Sequence, residues 1–200
     1  KPLYGQGYLP FSRDEIYYIP ADDVYLSGTA ELILNSLHAD ELLSENSLPI
    51  MYAGFSPCFR KEAGAAGRDT RGIVRIHQFN KVEQYIYCTP EQSDEMHEHL
   101  LNNLCEVMED LELPYRVIAA CTGDMGFNKV KMHDVEAWFP SEGTYRELGS
   151  CSSIGQFQAR RTNTRYRDKN GNMQFCATLN NTGIALPRAI VPVIENHQNP

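Results

Sequence analysis

The stretch that most constrains the fold covers residues 55–87 and reads FSPCFRKEAGAAGRDTRGIVRIHQFNKVEQYIY. It contains two β-like runs on either side of a loop of small and charged residues. In the second run, Arg75, Phe79 and Glu83 alternate with apolar residues, and a period of two is typical of a strand with two different faces. We therefore expect these three side chains to share one face.

The first run adds two charged side chains that we expect in the same place. Arg60 and Glu62 share a strand face, and pairing of the two runs as a hairpin would point them into one cleft with Phe79 and Glu83. At about 3.3 Å per strand residue, Phe79 and Glu83 lie roughly 13 Å apart, near the span of an adenine ring plus a nucleotide-linked amino acid. The guanidinium groups of Arg60 and Arg75 suit phosphate oxygens. The alternative is an ordinary amphipathic hairpin with solvated charges.

Length and charge limit the class of protein. The 200 residues, 42% of them hydrophobic, suffice for one sizeable core and predict a single α+β domain. The net charge of −8 and the pI of about 5.2 exclude a global basic surface that would hold a phosphate backbone. Most of the affinity for a nucleic acid partner would therefore have to come from something other than a global basic surface of this chain.

The six cysteines are scattered without a C-x-x-C pair, so the sequence indicates neither a zinc ribbon nor a dithiol redox site. We expect them to be reduced core thiols of a cytosolic, cytoplasmic protein. The sequence has no apolar run of membrane-spanning length and no N-terminal segment typical of secretion, so we expect no membrane partner. The start at Lys1 and Pro2, without a methionine, suggests a fragment.

Four strings within residues 55–87, FRKEAG, AAGRDTRG, RIHQF and KVE, closely resemble motif 2 of seryl-tRNA synthetases in content and order. These class II enzymes activate serine with ATP. The resemblance implies that Arg60 holds the α-phosphate and Arg75 the polyphosphate. It also implies that Glu62 and Ile76 border the adenine, Ile76 through its backbone.

A T-x-E triplet, Thr29-Ala30-Glu31, follows a predicted strand at 24–27 and opens a helical run. Local structure alone would explain Thr29 as a helix N-cap and Glu31 as a first-turn acid. The run extends through residue 37, and we expect its apolar residues to face a core. The triplet also resembles the T-x-E of seryl-tRNA synthetases, which binds serine with the glutamate near its amine and hydroxyl.

A long helix is predicted from Thr89, where the string TPEQ combines an N-cap, a first-turn proline and a capping-box glutamine. Apolar residues between Met96 and Leu111 recur at spacings of three and four and predict one buried stripe. His97 and His99 lack the i, i+4 spacing of a helical metal site, so we expect both at the surface.

Two further strands, 132–139 and 144–151, flank a turn and predict a hairpin. Glu147 and Ser150 supply hard oxygen ligands of the kind that Mg²⁺ takes, although a solvated strand end is the alternative. The string ELGSCSSIGQFQARR resembles the family stretch in which this Glu and Ser meet the metal and the α-phosphate region. Gly149 stands where family members often have serine.

Other stretches carry weaker signals. Residues 115–121 predict a buried strand, 168–172 a turn and 174–179 another strand. Residues 156–167 carry four arginines, which indicates either a solvated helix or a patch that faces nucleic acid. The acidic charge of the whole chain favours the solvated helix.

A strand, a glycine turn and a helix across residues 179–188 resemble class II motif 3, whose arginine packs on the far face of the adenine. Phe79 and Arg188 would then sandwich the base. Pro187 and Pro192 depart from the expected helix, and Pro192 is predicted to kink it or to mark an irregular turn.

The resemblance as a whole implies an α+β fold, the class II synthetase catalytic domain, in which an antiparallel β-sheet is flanked by helices. It implies that residues 1–200 form this core without the family's N-terminal tRNA-binding helical arm, motif 1 and C-terminal tail. The implied activity is ATP-dependent activation of L-serine to seryl-adenylate and transfer to tRNA(Ser), and also to tRNA(Sec). ATP and Mg²⁺ are the implied cofactors, and the full-length enzyme would be a homodimer.

The site residues that the resemblance implies fall into four groups. The catalytic residues are Arg60, Arg75 and Arg188. The ATP-binding residues are Arg60, Lys61, Glu62, Ile76, His77, Gln78, Phe79, Glu147, Leu148, Gly149, Ser150 and Arg188. The serine-binding residues are Thr29, Ala30, Glu31, Glu83 and Thr182, and the metal ligands are Glu147 and Ser150.

Three other classes of protein stay open on the sequence alone. They are a stand-alone synthetase-like ligase that loads a carrier protein, a catalytically silent paralogue that acts as a binding module, and a fragment limited to adenylation. The first resembles a zinc-dependent variant of the serine site, for which the sequence has no clear Cys/His ligand set. The second is disfavoured by the intact charged residues of the motifs.

Overall fold

A computed structural model describes residues 2–11, 13–63 and 72–198 of the chain. The predicted loop of motif 2, residues 64–71, lies outside these ranges. The helices are α1 (Pro2–Gln6), α2 (Tyr8–Phe11), α3 (Glu31–Leu34), α4 (Ser93–Asp110), α5 (Phe157–Thr162) and α6 (Leu186–Asn196). The strands are β1 (Tyr18–Ile19), β2 (Val24–Tyr25), β3 (Leu42–Ser44), β4 (Ile50–Phe59), β5 (Gln78–Cys88), β6 (Tyr115–Ala119), β7 (Lys131–Phe139), β8 (Thr144–Gly155), β9 (Arg165–Arg167), β10 (Met173–Phe175) and β11 (Ala177–Ala185).

A six-stranded antiparallel sheet forms the centre of the molecule, in the order β4-β5-β11-β8-β7-β6. Strands β1 and β2 form a separate pair, and β10, β9 and β3 form a small third sheet. The predicted hairpin of residues 55–87 is confirmed, because β4 pairs with β5 from Ile50 opposite Tyr87 to Phe59 opposite Gln78. The second predicted hairpin is confirmed as β7 and β8.

Alternation along β5 divides the core in two. Ile86 and Cys88 point to one side of the sheet and join the apolar cluster under α4, whereas Tyr85 and Tyr87 point to the other side and join the cluster of α3 and α5. Successive strand residues face opposite sides, so a strand that is covered on both sides is apolar on both. Helices therefore cover both faces of the sheet.

Helix α4 is preceded by the predicted capping box but also buries a histidine that was expected at the surface. The Thr89 capping box is present, with Pro90 in the first turn, which is a 3₁₀ turn over Pro90–Gln92. The predicted apolar stripe is buried at its centre, including Leu100 and Leu104. The expectation that His97 is at the surface is wrong: it is fully buried, and its Nε2 lies 2.8 Å from Nδ1 of His133. His97 precedes Leu104 by seven residues, two helical turns, so it lies on the buried face.

Helix α3 differs from the prediction. Ala30, not Thr29, occupies the N-cap position, and the helix ends at Leu34. Ile33 and Leu37, expected in a core, are 53% and 46% exposed. The Thr29 hydroxyl instead donates a hydrogen bond to Glu83 Oε2, at 2.9 Å. The same hydroxyl oxygen accepts a hydrogen bond from the Glu31 backbone N–H at 3.3 Å, so a local contact is kept beside this tertiary one.

Three charged residues of motif 2, Arg60, Glu62 and Arg75, lie outside the strands in which they were predicted. Strand β4 ends at Phe59, before Arg60 and Glu62, and β5 begins only at Gln78, after Arg75. Glu62 has a φ of 53°, which an extended strand does not allow. Bends in the chain, rather than strand faces, therefore orient these three side chains.

Several other elements have boundaries that differ from the predicted ones. The strand predicted at 24–27 is limited to β2, and the strand predicted at 174–179 is split between β10 and β11. β6 is an edge strand with exposed side chains rather than a buried strand. The predicted solvated helix at 156–167 extends only over α5, because Asn163 adopts a left-handed conformation with φ 56°. Strand β9 follows it.

Motif 3 forms the predicted strand and helix with a different connection. Gly183 lies inside β11, at a β-bulge, rather than in a turn before the helix. Pro187 lies in the first turn of α6, where a missing N–H has no cost. The helix continues past Pro192 to Asn196 as one element.

All six cysteines are free, and four of them are buried. Cys121 is exposed, so the expectation of core thiols is wrong for this residue. None of the helices within the described ranges combines the length and apolar character that a membrane span requires.

Shortening Leu104 to alanine tests the core under α4. Leu104 is fully buried, so Leu104→Ala should lower the free energy of unfolding by about 2–5 kcal/mol through lost burial and the cavity left behind. Urea denaturation followed by circular dichroism measures this change. Leu37→Ala is the matched control and should cost less than about 0.5 kcal/mol, because Leu37 is largely exposed. Equal losses in both variants would contradict the assigned core.

Candidate active site

A cavity of about 430 Å³ opens beside β5, β8 and β11. The chain segments after β4, around α1 and α2, and at residues 126–129 complete its wall. The predicted site residues that line it are Thr29, Glu31, Arg60, Glu62, Arg75, Ile76, Phe79, Glu83, Glu147, Leu148, Ser150, Thr182 and Arg188. Residues as far apart as Thr29 and Arg188 are thus brought together.

Five predicted site residues do not line this cavity in the described part of the chain: Ala30, Lys61, His77, Gln78 and Gly149. Ala30 packs in the core with α3. Lys61, His77 and Gln78 are exposed. Gly149 faces α4, and a Cβ there would lie 3.0 Å from side-chain atoms of Leu104 and Thr182.

Two β-bulges turn predicted site residues toward the cavity. In β8, Glu147 lies opposite Glu136 while Gly149 lies opposite Val135, so Leu148 is an extra residue. Residues three apart in a regular strand face opposite sides, and a bulge reverses that alternation. Glu147 and Ser150 consequently both face the cavity.

The bulge in β11 acts in the same way. Thr182 lies opposite Glu83 and Ile184 opposite Val82, which leaves Gly183 as the extra residue. Thr182 and Ala185 both line the cavity, although three positions separate them. A Cβ on Gly183 would lie 3.0 Å from a side-chain methyl of Val82, so a larger residue at the bulge would require Val82 to move.

Two buried carboxylates form the floor of the cavity. Glu83 pairs with the ammonium group of Lys81 and accepts hydrogen bonds from the Thr29 hydroxyl and from Asn180 Nδ2, the latter at 3.1 Å. Asn180 Nδ2 also lies 3.2 Å from Glu31 Oε2 and bridges the two carboxylates. The floor therefore holds two acids against one adjacent lysine.

Two glutamines hold Glu31 from behind. Gln6 Nε2 donates to Glu31 Oε2 at 2.5 Å, and Gln158 Nε2 donates to Glu31 Oε1 at 2.8 Å. Burial, together with the negative charge of Glu83, raises the pKa of Glu31 to about 7. The Gln158 hydrogen bond and the charge of Lys81 oppose this rise.

Arginines and an aromatic ring form the opposite end. Arg75 Nη1 lies 2.7 Å from Glu62 Oε2. The Arg60 guanidinium covers the Phe79 ring at 5.3 Å from its centroid, and Arg60 Nε donates to the carbonyl of Gly28. A base that stacks on Phe79 must use the other ring face or displace Arg60.

Glu147 and Arg188 form the third wall. Arg188 Nη1 donates to the Glu147 carbonyl at 3.0 Å and lies 3.7 Å from its carboxylate. Burial and the charge of Glu147 raise the pKa of nearby Asp134 to about 6. The described residues contain no group of three His, Cys, Asp or Glu side chains arranged to hold a metal ion.

Sequence reasoning missed several residues of this site. Lys81 lies between Phe79 and Glu83 on the same face of β5, and Asn180 lies two residues before Thr182, so period-two alternation could have found both. Gln6 and Gln158 reach Glu31 from 25 and 127 positions away along the chain. No local sequence signal predicts those contacts.

Comparison with known proteins places this geometry in a family. The model of the tRNA synthetase class II core domain (G, H, P, S and T) matches residues 17–197. The chain belongs to this family. The predicted fold, a class II core with an antiparallel sheet flanked by helices, is thereby confirmed for this synthetase core.

Individual relatives of this class II synthetase core agree. A serine–tRNA ligase of Deinococcus radiodurans is 52% identical over 198 residues, which cover 98% of this chain and 47% of that protein. The crystal structure of seryl-tRNA synthetase from Pyrococcus horikoshii complexed with ATP has a TM-score of 0.89 at 50% identity, covering 92% of this chain and 42% of that one. The cytoplasmic serine–tRNA ligase of Naegleria fowleri in complex with AMP has a TM-score of 0.92 at 36% identity, with coverages of 100% and 48%. The chain therefore spans about half the length of these relatives.

The raised pKa of Glu31 predicts a pH dependence of stability. A carboxyl whose pKa is higher in the folded than in the unfolded chain binds more protons when folded, so stability falls as pH rises from about 4.5 to 7. Glu31→Gln should remove this part of the slope, on the order of 1–3 kcal/mol, in urea denaturation at pH 5, 6 and 7. Glu106→Gln, at an exposed position of α4, should keep it. An unchanged slope in Glu31→Gln would contradict the raised pKa.

Proposed function

We propose that the protein activates L-serine with ATP to form seryl-adenylate and, as part of a longer enzyme, transfers the seryl group to tRNA(Ser) and tRNA(Sec). The observation that carries this proposal is one cavity with a buried acidic floor at one end and arginines around an aromatic ring at the other. A zwitterionic amino acid and a nucleoside triphosphate need these two opposite environments side by side. The serine–tRNA ligases among the relatives support the choice of amino acid.

The acidic floor suits the ammonium group of serine. Glu31 and Glu83 outnumber Lys81, so a bound cation would relieve their mutual repulsion and return the pKa of Glu31 toward its ordinary value. Thr29 and Thr182 lie beside them as hydroxyl partners. A site that hydrogen-bonds the substrate hydroxyl rejects an analogue without it, because buried polar groups would lose their partners.

The arginine end suits the triphosphate. In this proposal Arg60 binds the α-phosphate, Arg75 the polyphosphate, and Glu62 and Ile76 border the adenine. Arg75 would exchange its ion pair with Glu62 for phosphate oxygens, which guanidinium groups bind through paired N–H donors.

The reaction requires no nucleophilic side chain of the protein. The serine carboxylate attacks the α-phosphorus, and the bond to pyrophosphate breaks. Fixed positive charge around the phosphate stabilises the developing charge, and holding both substrates in one cavity removes the entropic cost of their encounter. Arg60, Arg75 and Arg188 are the residues in this role.

Glu147 and Ser150 fit a magnesium site. Both face the cavity because of the β8 bulge, and a carboxylate plus a hydroxyl leave most coordination positions to phosphate oxygens and water, as Mg²⁺ prefers. When bound, the ion would neutralise phosphate charge. We also propose a cytoplasmic location and a homodimeric full-length enzyme. Binding of tRNA would depend mostly on parts outside this chain.

Amino-acid-dependent ATP–pyrophosphate exchange tests the proposed function. Serine should support exchange, and alanine should be at least on the order of a hundred-fold poorer, because it leaves the hydroxyl-binding groups unpaired. Threonine and glycine complete the comparison. Exchange with alanine equal to that with serine would refute the assignment of serine.

A double-mutant cycle tests the proposed adenine site. Phe79→Ala and Arg188→Ala should each weaken ATP binding about 3- to 30-fold while serine affinity stays nearly constant, because ring stacking and cation–π attraction are lost. If both side chains act on one ring, the double variant should lose less than the sum of the two, as residues that share a ligand are coupled. Isothermal titration calorimetry with ATP gives the three affinities.

Phe55→Ala is the control for loss of an aromatic ring, since Phe55 is 66% exposed on β4 and outside the cavity wall. Its ATP affinity should equal that of the unaltered chain. Strictly additive losses from folded Phe79 and Arg188 variants would show that these side chains do not share a ligand.

A further inference from the structure

Gln158 is a buried polar residue that the proposed reaction does not use directly. It lies in the first turn of α5, fully buried, directly behind Glu31. Burying an amide is unfavourable unless its hydrogen bonds are made. The partners of Gln158 therefore reveal what the residue does.

Hydroxyl groups fix the direction in which the Gln158 amide points. Its Oε1 lies 2.7 Å from the Tyr85 hydroxyl and 3.1 Å from the Thr178 hydroxyl, and both can donate to it. Burial raises the pKa of Tyr85 well above its ordinary value, so Tyr85 keeps its proton. With the oxygen side occupied by two donors, only the NH₂ side can face Glu31.

Asn35 reinforces this arrangement. Tyr85 has one proton and two neighbouring acceptors, Gln158 Oε1 and Asn35 Oδ1, while Asn35 Nδ2 is buried without a partner in the described structure. In its flipped orientation the Asn35 amide would donate to the Tyr85 oxygen, and the Tyr85 proton would be left for Gln158.

The two oxygens of Glu31 depend on different donors. Oε2 accepts hydrogen bonds from Gln6 and Asn180, whereas Oε1 accepts one from Gln158. Without the Gln158 N–H, the buried Oε1 would need a proton or a rotation of the whole carboxylate to find a partner. Either change would alter the surface that the cavity offers to a cation.

We propose that Gln158 is a positioning residue for the amino acid substrate: held by Tyr85 and Thr178, it fixes the Glu31 carboxylate in one orientation and favours its ionised form. This inference rests on the proposed function and deepens it, because it names the residue that sets how the acidic floor meets the substrate's ammonium group. The other charged groups that act on Glu31 are Glu83, Lys81 and Lys129.

Two substitutions separate positioning from packing. Gln158→Glu keeps the shape and the oxygen that faces Tyr85, but it places a carboxyl oxygen against Glu31 Oε1. At pH 8 the two carboxylates repel, and serine affinity should fall on the order of 10- to 100-fold. At pH 6 a proton shared between them replaces the lost N–H, so serine affinity should recover. Gln158→Met removes the donor permanently and should not recover at pH 6.

The measurements are calorimetric affinities for L-serine and, separately, for ATP at pH 6, 7 and 8. Carboxyl NMR of the unbound protein follows the pKa of Glu31, which should rise in Gln158→Met. ATP affinity should change less than about two-fold in every variant, because the arginine end is untouched. Gln156→Glu is the matched control on the same segment, since the Gln156 side chain contacts Arg160 and the Phe175 carbonyl instead. It should bind serine normally.

The outcomes are distinguishable. If the unaltered chain binds no serine, the proposed function is wrong and this inference fails with it. If the unaltered chain binds serine and folded Gln158→Glu binds it equally well at pH 8, the inference alone is wrong. Equal losses of serine and ATP affinity, without recovery at pH 6, would also overturn it and show that Gln158 only supports packing.

Discussion

The burial of two carboxylates side by side, Glu31 and Glu83, is the constraint on which the rest of the site depends. Like charges in a low-dielectric interior repel strongly, and each also loses its hydration. The chain compensates with the Lys81 ammonium group, the Thr29 hydroxyl and amide groups of Gln6, Gln158 and Asn180. Because these partners come from both ends of the sequence, the site cannot form before the fold is nearly complete.

An acid pair of this kind would link the stability of the protein to the binding of a ligand. Burial and, after it, the charge of Glu83 raise the pKa of Glu31, so the unbound floor retains unfavourable electrostatics. A cationic ligand at this floor would reduce the repulsion between the two acids and bind only the folded chain, so it would stabilise the fold by mass action. Local destabilisation at a binding site is common where a protein must meet a charged substrate away from water.

The sequence predicts most reliably those features that strand periodicity and helix capping determine. The hairpin of β4 and β5, the capping box at Thr89 and the common face of Phe79 and Glu83 follow from periodicity and capping chemistry, and the structure has all three. It predicts less well where tertiary contacts outweigh local preference. Thr29 bonds Glu83 as well as the backbone at the start of α3, and His97 is buried against His133.

The same distinction holds for the candidate site. Resemblance to a motif predicts which residues meet a ligand, and 13 of the predicted site residues line the cavity. It does not identify the residues that hold them, because contacts such as that of Gln158 with Glu31 depend on chain geometry and leave no local pattern. Residues that support a site in this way can be identified only from a three-dimensional structure.

The bulge at Leu148 has a consequence for how such sites tolerate change. One extra residue sets the side to which every later side chain of β8 points. The site therefore depends on this bulge as well as on the identity of its residues. If β8 kept its length but lost this bulge, Cys151 would turn toward the cavity and Ser150 toward α4, although every predicted site residue would still be present. A spacing of three between two functional residues in a strand, as in E-x-x-S, is therefore a mark of a bulge that can be read directly from sequence.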